Sequence, residues 1–339
     1  MSECCCSRQS NCCYSDSIPV VSTVLLAKDK LGVWKVRWGF NRDNYKVEPG
    51  LYAVGKPDNV SPVLVSANYK LTFDTLRKNL SGLDCWLLIL DTNGVNVWCA
   101  AGKGTFGTDE LISRIEKTGL GEVIEHRMLI LPQLGATGVS GYEIARQTGF
   151  SVVFGPVRAS DIKDFISAGN TATKEMRKVK FTFLDRLVLI PIELVPAVKT
   201  SFFVFGVLFL INMVASRPFG YFDFFAYISA VLAGTVLTPI LLPLIPGKAF
   251  SFKGWLLGVI CTACVAYAFG WFSPPWLFLG IGYMLALPAY SAFLAMNFTG
   301  ASTYTSFSGV IKEMKTAVPL MLIASLAGVV LILIKTFMG

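Results

Sequence analysis

Residues Cys85–Gly104 read CWLLILDTNGVNVWCAAGKG. The first six are apolar without alternation, the pattern of a strand covered on both faces at the centre of a parallel sheet. "DTNG" is turn chemistry. Asn96 then stands where an N-cap is needed, and "VWCAAGK" reads as a short helix with Cys99 near the third position of its first turn. "GKG" followed by "GT" ends that helix before another starts at Thr108. A strand that leaves a core, turns and enters a short helix bearing a cysteine is the unit from which the rest is read.

The flanking sequence repeats the alternation. "SPVLVSAN" (61–68) is a strand ending in a polar turn, and "TFDTLRKNL" (72–80) has helical spacing. "DELISRIEKTG" (109–119) is an amphipathic helix stopped by Gly119. "RMLILP" (127–132) and "SVVFGP" (151–156) are strands. "SGYEIARQTG" (140–149) and "ASDIKDFISAG" (159–169) are helices. Repeated β–α units predict an α/β, Rossmann-like, doubly wound sheet, in which ligands bind outside the carboxyl ends of the strands. The loops "SAN", "DTNGVNVWC", "QLGATGVSG" and "GPVRASD" leave those ends. They offer backbone donors and little bulk, and the third leads into a helix N-terminus, an anion site by nature. It is neither G-x-G-x-x-G nor a Walker loop.

The chain has 339 residues and a net charge of +8, enough for two domains. Charged residues are frequent up to Arg186 and scarce after it. Five apolar stretches, at about 198–216, 223–246, 254–272, 275–297 and 316–335, are long enough to cross a bilayer, so an all-α transmembrane domain of five helices is expected. "FSPPW" (272–276) makes the turn between the third and fourth. Lys248 and Lys253 lie between spans two and three, and Lys312 and Lys315 between spans four and five. The positive-inside rule places these loops and the N-terminal half in the cytosol and the C-terminus outside the inner membrane; Arg217 opposes this. Trp255, Trp271 and Trp276 read as interface anchors. No acidic residue is expected inside a span, so an ion relay lacks its usual residues. The expected boundaries are a Cys-rich tail over 1–20, the α/β domain over 21–180, an interfacial linker over 181–197 broken by Pro191 and Pro196, and the transmembrane domain over 198–339. Basic residues flanking spans explain much of the charge, and no nucleic-acid module is visible.

"MSECCCSRQSNCCYSDS" lacks a basic n-region and an apolar h-region, so no signal peptide is expected. Cytosolic cysteines read as ligands or nucleophiles rather than disulfides. The helix dipole at Cys99 and the cation of Lys103 one turn on favour a thiolate, and Ala100, Ala101 and Gly102 leave the helix bare enough for a flat ligand. A buried packing cysteine is the competing reading. Cys85, inside a strand, reads as core. His126, the single histidine, stands at a strand start away from the loops and reads as structural. Cys261 and Cys264 share one helix face at i, i+3, either as packing residues or as a soft-metal pair for Hg(II). Cys4, Cys5, Cys6, Cys12 and Cys13 are either an incidental cluster or a scavenger of Hg(II).

"NVWCAAGK" resembles the cap-helix signature of the corrinoid protein family that methylates mercury in anaerobes. "PVLVSANYKLTFD" (62–74) and "LPQLGATGVSGYEIARQTGFSVVFGPVRASDI" (131–162) resemble the corrinoid domain of the corrinoid iron-sulfur protein large subunit, which carries methyl groups in acetyl-CoA synthesis. The resemblance implies a cobalamin or related corrinoid, bound base-off, with the Cys99 thiolate as lower axial ligand to cobalt. Asn96, Val97, Trp98, Cys99, Ala100, Ala101, Gly102 and Lys103 would form the cap helix. Ser66 and Ala159 match small positions near the corrin. Gly135, Ala136, Thr137, Gly138, Val139 and Ser140, with Gly155, Pro156, Val157 and Arg158, would hold its side chains and nucleotide tail. The D-x-H-x-x-G alternative is absent. The implied activity is a corrinoid-dependent methyltransferase moving methyl from methyl-Co(III) to Hg(II), giving methylmercury; the alternative is a corrinoid methyl carrier in one-carbon metabolism of the acetyl-CoA pathway type. A transporter with a regulatory α/β domain is a third reading. No iron-sulfur spacing is present, so a ferredoxin-like electron donor and a methyl-folate-dependent donor system are the implied partners, beside Hg(II) and the bilayer.

Overall fold

The computed structural model describes residues 18–300 and 307–338; the N-terminal cysteines lie outside them. The chain divides into two compact units. One comprises residues up to Val33 with Asp43–Lys178; the other comprises Trp34–Arg42 with Val179 onward.

The first unit contains β1 (Val20–Val21), most of α1 (Ala27–Arg37), β2 (Gly50–Val54), β3 (Val63–Ala67), α2 (Lys70–Asn79), β4 (Cys85–Leu90), α3 (Val97–Lys103), α4 (Thr108–Lys117), α5 (Leu120–Val123), β5 (Met128–Leu131), α6 (Gly141–Thr148), β6 (Ser151–Phe154) and α7 (Ile162–Ser167). The six strands form one sheet in the order β1-β2-β4-β3-β5-β6. The four strands expected from the sequence are mutually parallel, Val63 opposite Trp86 and Met128 opposite Ser151. The sheet is nevertheless mixed, because β2 runs antiparallel to β4 with Ala53 opposite Trp86. A purely parallel sheet is therefore corrected. "GLYAV" is short and squeezed between Pro49 and Gly55, so it gave no clear strand signal.

β3 and β4 are buried at every position, Ser66 included, as strands covered on both faces are. Strand alternation splits them between two cores. Val63, Val65, Ala67, Trp86, Leu88 and Leu90 pack with α3, α4 and α6 on one face. Leu64, Cys85, Leu87 and Ile89 pack with α2 and α7 on the other. Cys85 is fully buried and burial, aided by Asp84, pushes its thiol up to about 12, which fits the core reading. His126 is structural as well, its Nε2 lying 2.9 Å from the Ser61 carbonyl oxygen.

Four ions fix α2 to the chain before it. Asp29 meets Lys70 at 2.9 Å and Arg77 at 2.8 Å, and Asp74 meets the same two partners at 2.7 and 2.8 Å. Burial alone would raise the Asp29 carboxyl; the hydrogen bonds from Lys70 and Arg77 outweigh it and hold the group at about 2.

The second unit holds α8 (Phe183–Leu187), α9 (Ile190–Asn212), α10 (Tyr221–Leu232), one π-helical turn (Ala233–Leu237), α11 (Thr238–Leu241), α12 (Phe250–Ala268), α13 (Leu277–Asn297) and α14 (Phe307–Met338). Among the described residues, five helical stretches are long and apolar enough to cross a membrane: Phe183–Asn212, Tyr221–Leu241, Phe250–Ala268, Leu277–Gly300 and Ser308–Met338. α12 and α13 approach closely because Gly254 and Gly258 face Ser291, whose Oγ donates to the Gly254 carbonyl at 2.8 Å. Small residues at such crossings are typical of helices that pack without a hydrophobic drive.

Three expectations change here. Pro191 and Pro196 do not break the linker: α9 begins at Ile190 and runs through both, because Pro191 falls in the first turn, where no N–H is needed. An acidic residue does enter a span: Asp223, in the first turn of α10, is 5% exposed. It binds Arg217 at 3.0 Å and accepts from the Tyr283 hydroxyl at 2.7 Å. Arg217, which opposed the charge rule, is thus paired. Trp271 is buried and stacks on Tyr283 at 4.7 Å between ring centroids, so it is not an interface anchor.

Candidate functional site

The site is built on the carboxyl ends of β3, β4, β5 and β6. The loop after β4 is held by a residue the sequence reading passed over. Asn68, 1% exposed and just past β3, accepts at Oδ1 from the Thr92 amide at 3.1 Å, the Thr92 hydroxyl at 2.9 Å and the Gly94 amide at 3.0 Å. Its Nδ2 donates to Asp91 at 3.0 Å. From the other side, Glu110 of α4 accepts from the Asp91 amide at 2.8 Å and pairs with Arg114. Asn93 and Gly94 take positive φ values of 55° and 71°, conformations that suit Asn and Gly. The signal was an Asn directly after a fully buried strand, a position that demands internal partners.

That clamp sets the start of α3. Asn96 caps it as expected, its Oδ1 accepting from the Cys99 amide at 2.9 Å. Cys99 is half-buried and free of any disulfide. Gly102 and Lys103, one turn on, are exposed, and a Cβ placed on Gly102 would meet nothing within 4 Å. Trp98, Cys99, Gly102 and Lys103 therefore share the outward face.

The alanines do something other than expected. Ala100 and Ala101 are buried, 0% and 6% exposed, in the core with Val97. They let α3 lie close to the loop after β5 rather than baring it for a ligand. A Cβ on Gly138 would collide with the Phe106 carbonyl oxygen and meet the Ala101 Cα at 3.1 Å, and one on Gly135 would strike the Phe106 ring. Both glycines are thus packing residues against the α3–α4 segment. The open face is narrower than the sequence implied: one glycine rather than an Ala-Ala-Gly surface.

The remaining residues fall on the same rim. Thr137 and Ser140 are exposed and Ala136 half-buried, while Val139 is core. The Ser140 amide donates to Thr108 Oγ1 at 2.9 Å and its hydroxyl accepts from the Glu143 amide at 3.4 Å, so the start of α6 already has a capping partner. After β6, Gly155 and Pro156 are buried, and Val157, Arg158 and Ala159 are half-exposed. The Val157 amide donates to the Met176 carbonyl at 2.9 Å, tying that loop from behind. Ser66 is 3% exposed, and by alternation it points with Leu64 toward the α2 side, away from the face on which α3 packs. Cys261 is half-buried and Cys264 exposed in α12. Among the described residues, no cluster of three or more His, Cys, Asp or Glu stands ready to hold a metal, so the lone Cys99 offers one protein ligand at most.

Comparison with known proteins bears on this unit. Residues 39–166 match the family model described as CdhD, the CO dehydrogenase/acetyl-CoA synthase delta subunit. The acetyl-CoA decarbonylase/synthase complex subunit gamma of Methanopyrus kandleri is 37% identical over 127 residues, covering 37% of this chain and 27% of that protein. The subunit of the same name from Methanocaldococcus jannaschii is 37% identical over 122 residues, covering 35% and 25%. That of Methanothermobacter thermautotrophicus is 32% identical over 158 residues, covering 45% and 34%. The chain thus matches about a quarter to a third of the length of these relatives. The finding overturns the mercury-methylating reading, both as a family and as an activity: the matched stretch includes Cys99 and its loops, and the proteins it matches are subunits of the acetyl-CoA decarbonylase/synthase complex. Hg(II) as a substrate loses its basis.

Proposed function

We propose that this chain is a membrane-anchored corrinoid methyl carrier of the acetyl-CoA-pathway type. The observation that carries the reading is the coincidence of the family match over 39–166 with a half-buried thiol at the third position of α3, on a face open above Gly102. When bound, the corrinoid supplies a cobalt centre able to accept and release a methyl group. The residues present fit such a group. One side of Gly102 offers space for a macrocycle edge, and no histidine competes with the thiol. Cys99 would supply the protein ligand to the cobalt. Asn96 and the Asn68 clamp orient it. Thr137, Ser140 and the half-exposed Val157–Ala159 segment would hold the macrocycle periphery and its tail, with Gly135 and Gly138 packed against Phe106 behind them.

A methyl carrier has to be loaded and kept reduced. The partners are a methyl-folate-dependent donor system and a ferredoxin-like protein with iron-sulfur clusters. The five long apolar helices span the cytoplasmic membrane, with the α/β unit on the cytosolic side and the C-terminus outside; Lys248 just before α12 and Lys312 and Lys315 near the start of α14 support this orientation.

The test is a visible spectrum of the anaerobically purified protein, cobalamin-loaded, beside Cys99→Ala. Wild type should display thiolate-ligated bands and the variant base-off bands alone. Identical spectra would remove Cys99 from the metal. A loaded protein that takes no methyl from methyl-folate with its donor system would sink the carrier role.

A further inference from the structure

Two cavities stand out among the described residues of the second unit. One, of about 720 Å³, is bounded by Asp223, Tyr227, Tyr283 and apolar side chains. Its one carboxylate is already neutralised by Arg217, so nothing there selects an ion. The other is different. A trough of about 910 Å³ lies between α12 and α14 with Ala289 and Ala292 of α13 at its floor. Phe252 and Trp255 form one wall, and Leu320 and Met321 the other.

Lys248 and Lys312 stand at one end of the trough. Both are exposed, and neither has an ion-pair partner among the described residues. The single carboxylate beside them, Glu313, is committed: its Oε1 accepts from the Ser251 amide at 2.6 Å, capping the start of α12. From Lys312 to Ala324 the trough follows α14 for about 18 Å at the helical rise. Past Glu313 and Thr316 its α14 lining is apolar, from Ala317 through Leu320 and Met321 to Ala324, and Trp255 and Leu320 remain 46% and 62% exposed. Two unpaired cations at the mouth of a long apolar channel complement an amphiphile with an anionic head.

We propose that this trough binds one anionic phospholipid of the lysine-bearing leaflet. Its phosphate lies between Lys248 and Lys312, and one acyl chain lies against Trp255, Leu320 and Ala324. The proposal rests on the five-span reading, and the experiment separates the two. Alkaline carbonate extraction of membranes tests spanning by itself: release of the chain overturns both. If the chain is retained, the full-length protein in detergent is titrated with phosphatidylglycerol and, separately, phosphatidylcholine by native mass spectrometry. Phosphatidylglycerol should bind more tightly. Lys248→Ala and Lys312→Ala should each weaken it about fivefold, the worth of one basic residue near an anionic headgroup, with phosphatidylcholine unchanged. Lys248→Arg with Lys312→Arg should retain the preference, and Ala324→Phe should weaken both lipids by filling the channel. Equal affinity for the two lipids, alanine variants that bind like wild type, or glycerol phosphate binding as tightly as the whole lipid would each overturn the trough alone.

Discussion

Replacing Asn68 by alanine tests how the cysteine is held. The Thr92 hydroxyl keeps the Val95 carbonyl as partner at 2.7 Å. The amides of Thr92 and Gly94 lose their acceptor. A buried donor left unpaired costs about 1–3 kcal/mol; Thr92 is fully buried and Gly94 partly so, which gives about 2–4 kcal/mol together. The loss falls on local opening of the 91–98 loop more than on the distant sheet. Amide exchange measured by mass spectrometry on peptides spanning 91–100 should therefore accelerate about 30- to 900-fold, taking 1.36 kcal/mol per tenfold. In cobalamin-loaded protein the thiolate-ligated bands should also weaken, because Asn96 and Cys99 follow directly in the chain. Asn68→Asp would keep the acceptor but set a second carboxylate beside Asp91, and should destabilise the loop more at neutral than at acid pH. Acceleration under threefold in the alanine variant, with unchanged bands, refutes the clamp.

Other outcomes follow from the same geometry. Asn96→Ala should cost about 1 kcal/mol through loss of the cap on the Cys99 amide, read as a lower Tm of the purified protein. Gly138→Ala should cost about 1–3 kcal/mol by forcing α3 and the Phe106 carbonyl away from the loop after β5, and should alter the accessibility of Cys99 to alkylation. The depressed Asp29 carboxyl contributes stability that is complete above its unfolded value of 3.8 and is lost as pH falls toward about 2. The difference between wild type and Asp29→Asn should thus shrink over that window and stay constant above it; a difference independent of pH from 2 to 7 contradicts the assignment.

The parallel core was legible because β4 is a continuous apolar run that only a doubly covered strand tolerates, and because β3 ends in a recognisable polar turn. The helix bearing Cys99 was legible through Asn96, whose capping role is local. β2 was hidden, since a five-residue stretch between Pro49 and Gly55 acquires its meaning from pairing with β4. The packing of Gly135 and Gly138 against Phe106 and Ala101 was hidden for a related cause: small residues near a ligand and small residues under a neighbouring helix look alike until those partners are in place. Asp223 escaped notice because it stands at the very edge of its apolar run and its buried partner Tyr283 lies 60 residues away. The octapeptide around Cys99 alone points to mercury methylation, whereas the match over residues 39–166 as a whole points to subunits of the acetyl-CoA decarbonylase/synthase complex.

One property of the chain path bears on anyone wishing to handle the α/β portion alone. Helix α1 is shared: its first residues belong to the sheet unit, but Trp34–Arg42 belongs with the helical one, where the Arg37 guanidinium donates to the Val188 carbonyl at 3.1 Å. No single scission isolates either half. A fragment truncated after Lys178 carries off a segment that its remainder needs, with Trp34 and Phe40 already 54% and 61% exposed. Such a fragment should be sticky in aqueous buffer, and the cure is redesign of that excursion rather than a shift of the cut site.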